Sequence, residues 1–129
     1  GLAVLKHLEN KKLISRCKKM GQKLHDRLRD LRRYPEVGDI RGKGLLAGIE
    51  FVQDSKGTPF PPEFQFAEKL RLNALALGLV VWPQSPAIAG QGDMVLLAPP
   101  FIVTEEELDF IIQRLEDALE KTIKTWRSL

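Results

Sequence analysis

Leu13, Cys17, Met20, Leu24, Leu28 and Leu31 recur at intervals of three and four, the spacing that gathers side chains on one face of an α-helix. This pattern predicts a long first helix from Leu2 or Leu5 to about Arg33, weakened at Asn10 and Gly21 and with room for a break around residues 9–12. Tyr34 and Pro35 close it, because proline cannot continue the hydrogen-bond ladder and drives the residue before it out of the helical region. Residues 45–53 then combine apolar and β-branched side chains around Gly48, as a buried strand would. The run Asp54, Ser55, Lys56, Gly57 reads as a turn, and the prolines of residues 58–62 as a loop. Helical spacing resumes over residues 63–77 through Phe66, Leu70, Leu72, Ala74 and Leu77, with Gly78 as the C-terminal cap. Residues 79–82 predict a short strand stopped by Pro83, and residues 94–98 another stopped by Pro99 and Pro100. Thr104 and Glu107 form a capping box, each positioned to bond the other's amide, ahead of a last helix that buries Leu108, Ile111, Ile112, Leu115, Leu119, Ile123 and Trp126. The order is helix, strand, helix, strand, strand, helix. It predicts an α/β chain of the two-layer α+β kind: a small, mostly antiparallel sheet covered by helices, with a long N-terminal and a C-terminal helix.

Composition narrows the class. The 129 residues suit one domain, and 43% apolar with 29% charged residues is the balance of a globular protein. No apolar run approaches bilayer length, and the first residues carry no secretion pattern, so no membrane span and no leader are expected. A start without Met inside an apolar helical pattern suggests a chain cut from something longer. The net charge of +3 is mild, and its excess lies in the first third, from Lys11 and Lys12 to Arg32 and Arg33. Interleaved with an apolar stripe and lacking aromatic neighbours, these bases read as a solvated helix face rather than a nucleic-acid surface. Cys17 is the sole cysteine, which excludes an internal disulfide and favours a reducing, cytoplasmic setting.

The stretch VGDIRGKGLLAGIEF, residues 37–51, has the glycine density of a phosphate-binding loop. Its spacing fails the test. A Walker loop needs Gly-Lys followed by Ser or Thr and then a helix, whereas Gly42 and Lys43 are followed by Gly44 and a strand. Gly42, Gly44 and Gly48 also miss the dinucleotide fingerprint by one residue, and they precede their strand instead of following one. The glycines therefore read as makers of a tight turn and close packing. His7 and His25 are too far apart to share a face by local spacing, and Cys17 lies within the apolar stripe. The acidic run at residues 105–107 is accounted for by capping and the helix dipole. No catalytic, cofactor-binding or metal-ligating set is expected in these residues.

The segments PEVGDIRGKGLLAGIEF and GDMVLLAPPFIVTEEELDFIIQRLEDALEK, some forty residues apart, together resemble the C-terminal part of class III aminotransferases, the fold-type I enzymes dependent on pyridoxal phosphate. The likeness extends over nearly the whole chain. It implies a C-terminal small domain over residues 1–129, with a connecting helix over 1–33 and a sheet-and-helix body over 37–129, and with the large cofactor-binding domain lying upstream. In the family the glycine segment begins a small-domain strand pair. The lysine that bonds the cofactor belongs to the large domain, so the 129 residues alone are expected to be inactive, serving to shape and close the substrate site of a homodimeric transaminase acting on an amine and a 2-oxo acid.

The resemblance also selects residues. Some members hold a second substrate carboxylate with an arginine just before the paired prolines, or with a mobile arginine in the preceding loop; here Val95, Leu96, Leu97 and Ala98, and residues 84–93, supply none. Arg41, Trp82 and Gln84, with residues 85–91, become the candidates for the substrate pocket. The alternative is a stand-alone helix-and-sheet module whose basic first helix binds an acidic partner.

Overall fold

The first apolar stripe folds as two consecutive helices. In the computed structural model, which describes residues 1–84 and 92–129, helix α1 spans Leu2–Asn10 and helix α2 spans Leu13–Arg29. Between them Lys12 adopts a left-handed backbone at φ 49°, a conformation that costs a residue with a Cβ about 1–2 kcal/mol and interrupts the ladder. The break falls within the weak stretch around residues 9–12. A 3₁₀ turn over Asp30–Arg33 ends the segment, and Tyr34 leaves it extended ahead of Pro35. Leu13, Met20, Leu24, Leu28 and Leu31 are buried as the spacing requires, and Cys17 is half-buried against the same core.

Among the described residues four strands form one sheet: β1 over Val37–Lys43, β2 over Leu46–Phe51, β3 over Trp82–Gln84 and β4 over Asp93–Leu97. Their order is β1-β2-β4-β3, and every neighbouring pair is antiparallel. Apolar patterning did not predict β1, whose sequence VGDIRGK is polar and holds two glycines; an edge strand needs no continuous apolar face. The strand expected at residues 79–82 begins only at Trp82 and includes Pro83. Leu79 and Val81 are buried without pairing, and proline is tolerated because β3 is an edge strand.

The glycines of the opening segment build the β1–β2 hairpin. Lys43 pairs with Leu46 across a two-residue turn of Gly44 and Leu45, with φ +58° at Gly44 alone. Positive φ only at the first central position is the mark of a type II′ turn, whose twist matches that of the flanking strands. At Gly42 an added Cβ would stand 2.0 Å from the Leu46 carbonyl oxygen. These residues shape a backbone, as the spacing implied.

Alternation then sorts the sheet's two faces. Ala47, Ile49 and Phe51 of β2 and Val95 and Leu97 of β4 are buried in the core beneath the helices. Helix α3, Phe66–Ala76, contributes Phe66, Ala67, Leu70 and Ala74 to that core, while Leu72 is 51% exposed, contrary to its place in the expected stripe. At 100° per residue Leu72 lies some 200° round the helix from Leu70, so both cannot face one core. The start of α3 is secured from a distance: the buried Asp93 of β4 accepts a hydrogen bond from the Ala67 amide at 2.8 Å. Helix α4, Glu105–Arg127, starts on the expected capping box, with Thr104 Oγ1 accepting from the Glu107 amide at 3.1 Å and Glu107 Oε2 from the Thr104 amide at 2.8 Å. Phe60 joins α4 to α3 by stacking on Phe66 and meeting Trp126 edge-on.

Candidate functional site

The face of the sheet turned away from the helical core carries all three residues singled out from the sequence. Arg41 pairs with Gly48, Gly48 with Leu96, and Leu96 with Trp82, so these four residues form one row across the sheet. The next row on the same face runs Asp39, Glu50, Met94, Gln84. Side chains within a row share a face because the pleat alternates every residue. Arg41 and Trp82 occupy opposite edges, roughly 14 Å apart by three ordinary interstrand spacings. They belong to one surface without touching.

The centre of this surface is apolar. An added Cβ on Gly48 would stand 3.0 Å from the Met94 methyl and 3.5 Å from a Leu96 methyl, so both side chains lean over the glycine. Trp82 is 66% exposed and Leu46 54% exposed, beside half-buried Met94 and Leu96. Trp82 also borders a concavity of about 370 Å³ with Arg71, Leu75, Val80, Val81 and Pro83. Met94, Leu96 and Gly48 were not singled out from the sequence as site residues. The signal that would have found Met94 and Leu96 is the alternation of β4, whose odd positions are buried and whose even ones are not; Gly48 follows only from its pairing with Leu96.

At the β1 edge the surface is ionic. Arg41 Nη1 donates to Asp39 Oδ2 at 2.9 Å and to Glu50 Oε2 at 2.8 Å. Asp39 in turn accepts from Arg32 at 3.0 Å. The Arg41 guanidinium beside Asp39 holds that carboxyl below the usual aspartate range, and the two carboxylates raise the pKa of Arg41 itself. A guanidinium already shared between two acids is a fixed rim to the surface, not a free carboxylate receptor. Gln84 is exposed at the end of β3, and the remaining loop candidates, residues 85–91, lie outside the described residues.

Covalent attachment of pyridoxal phosphate needs a lysine in a desolvated pocket that favours its neutral amine. No described lysine is buried. The two that are half-buried are engaged elsewhere, Lys23 with Glu105 and Lys69 over the ring of Phe64. The described residues therefore do not fit the point of attachment. No group of three His, Cys, Asp or Glu among them could hold a metal ion, and no helix among them is long and apolar enough to cross a membrane.

The sequence profile of the family "Aminotransferase class-III" matches residues 1–119. An uncharacterized aminotransferase of Bacillus subtilis (strain 168), YhxA, is 38% identical over 116 residues, covering 90% of this chain and 26% of the relative. The crystal structure of an (S)-enantioselective omega-transaminase from Thermomicrobium roseum superposes with a TM-score of 0.82 at 30% identity, over 94% of this chain and 26% of that one. A PLP-bound aminotransferase mutant from Vibrio fluvialis superposes with a TM-score of 0.82 at 30% identity, over 90% of this chain and 24% of that one. The chain thus spans about a quarter of the length of the proteins it matches. Sequence and fold agree over the same stretch, and the chain belongs to the class III aminotransferases.

Proposed function

We propose that these residues are the C-terminal small domain of a pyridoxal-phosphate-dependent transaminase, moving an amino group between an amine or amino acid and a 2-oxo acid. In this reading the segment supplies one wall of the substrate site, and the lysine that holds the cofactor comes from the rest of the enzyme. One observation carries it: Arg41, Trp82 and Gln84, chosen from the sequence, share the outer face of one sheet around an apolar centre. An apolar face with a single broad aromatic at its edge suits the carbon skeleton of a substrate. The described part of the face has no unpaired arginine, which favours substrates without a second carboxylate. The complete enzyme is expected to act as a homodimer, as the family resemblance implies.

The stand-alone interaction reading rested on the basic first helix. Much of that charge is used within the chain, where Lys23 pairs with Glu105, Arg27 with Asp109 and Arg29 with Asp26. The wall reading is tested in the complete enzyme with Trp82→Ala. The expected result is a rise of about tenfold in KM for the amine, with the melting temperature unchanged, because an exposed tryptophan lost from a substrate wall removes binding and leaves folding intact. Borohydride reduction of the same enzyme should fix the cofactor to a lysine outside residues 1–129. An unaltered KM, or a reduced lysine within this segment, would reject the reading.

A further inference from the structure

Helix α2 lies along the free edge of β1. Four residues of helix rise about 6 Å and two residues of strand about 6.6 Å, so the two elements stay in step over several contacts. Gly21 meets Gly44 backbone to backbone and His25 meets Gly42, and beyond the helix Arg32 of the 3₁₀ turn reaches the Ile40 carbonyl at 3.3 Å. Between them opens a cleft of about 530 Å³ lined by Lys18, Gly21, Gln22, His25 and Arg29 of α2 and by residues 40–44 of the hairpin.

The chemistry of this cleft is one-sided. Lys18, Arg29, Arg41 and Lys43 line it, and no carboxylate among the described residues does. The nearest acids match the lining arginines, Asp26 pairing with Arg29 and accepting from Gln22, and Asp39 and Glu50 being held by Arg41, so the unmatched cations of the cleft are its two lysines. Lys18 and Lys43 have no acidic partner among the described residues. Because Lys43 pairs with Leu46 to close the hairpin, alternation puts the amides of Ile40 and Gly42 on the strand's free edge, facing the helix. Glycines at positions 21, 42 and 44 let the helix and the hairpin pack closely beside the cleft, since a Cβ on any of them would meet Gly44, Leu46 or Cys17. A cleft with two unmatched lysines, strand-edge amides on one wall, the Ile40 carbonyl beside them already taken by Arg32, and no carboxylate among its described lining residues suits negative charge.

We propose that the cleft between α2 and the β1–β2 hairpin binds an oxyanion, the phosphate or carboxylate group of a small molecule, with Lys18 and Lys43 as its principal cationic contacts. The cleft is separate from the apolar centre of the sheet's outer face, and the proposal does not depend on the transaminase reading. The test is calorimetric titration of the complete, cofactor-saturated enzyme with inorganic phosphate and, in parallel, with citrate, at constant ionic strength. Cofactor saturation keeps the probes out of the cofactor's own phosphate site. Saturable binding of either probe at one per chain, weakened at least about tenfold by Lys18→Gln with Lys43→Gln, is the expected result, and the probe that saturates tells phosphate from carboxylate. Both lysines are exposed, so the double variant should keep the wild-type melting temperature and its basal turnover, whatever that activity is. Heats that never saturate for either probe, or an affinity unchanged by the double variant, would overturn the proposal.

Discussion

At the scale of single residues, Gly21 shows how tertiary contact reverses a local preference. In an isolated helix, alanine is favoured over glycine by about 1 kcal/mol. Here the added Cβ would fall 2.4 Å from the Gly44 carbonyl carbon and oxygen, backbone atoms in a turn that has little freedom to move. Gly21→Ala is therefore expected to lower stability by about 1–3 kcal/mol, the usual cost of overpacking, instead of raising it. Urea unfolding decides the sign, and a more stable variant would mean that α2 and the hairpin do not touch at this point. Leu72 teaches the same lesson in the opposite direction: its residue type agrees with a buried stripe, and its angular position puts it on the exposed side of α3.

Among the elements, the ends of the helices differ in how local they are. The start of α4 is written in four consecutive residues, because Thr104 and Glu107 satisfy each other's amides with no outside help. Thr104→Ala should cost about 1 kcal/mol in the free energy of unfolding, with the denaturant dependence otherwise unchanged. A loss below a few tenths would show that α4 is held by its packing and not by its cap. The start of α3 has no such local device: Gln65 before it is left-handed, and the cap is Asp93 from a strand 26 residues later in sequence. Strand β1 likewise is defined by its partner. Its own residues carry no apolar run, and it becomes a strand through the hairpin turn at Gly44 and the helix lying along its other edge.

Across the whole molecule, ion pairs bind the layers and give stability a dependence on pH. Arg32 of the 3₁₀ turn, Asp39 and Arg41 of β1 and Glu50 of β2 form one connected set. Asp39 has a folded-state pKa below its unfolded value of about 3.9. Its contribution to stability is therefore complete above that value and is lost as pH falls through the lower folded value. Arg41→Met should accordingly be less stable than the parent at neutral pH, and the difference should narrow below about pH 4 as Asp39 protonates. Asp39 and Arg41 are partly exposed, so the difference is modest and shrinks further in high salt. Unfolding curves of both proteins across that range provide the check, and a gap that stays constant with pH would show that the pair does not couple.

The sequence by itself determined the helices with a sustained three-and-four spacing, the capping box, the turn at Asp54 and the two-layer class, because each of these is fixed by neighbours a few residues apart. Its local spacing also argued against a Walker or dinucleotide motif at Gly42 and Lys43, and it supplied the family through two segments held in order. The tertiary structure alone decided where chemistry could gather. That Arg41, Trp82 and Gln84 share one sheet face follows from strand register, which depends on pairings between residues up to 50 positions apart, as for Ala47 and Leu97. That Arg41 is locked between Asp39 and Glu50 follows from the same pairing. The cationic cleft brings α2 beside a hairpin about twenty residues further on, and no spacing along the chain records it. Periodicity reports which side of an element is buried, whereas contacts between elements are chosen by the packing of all of them at once.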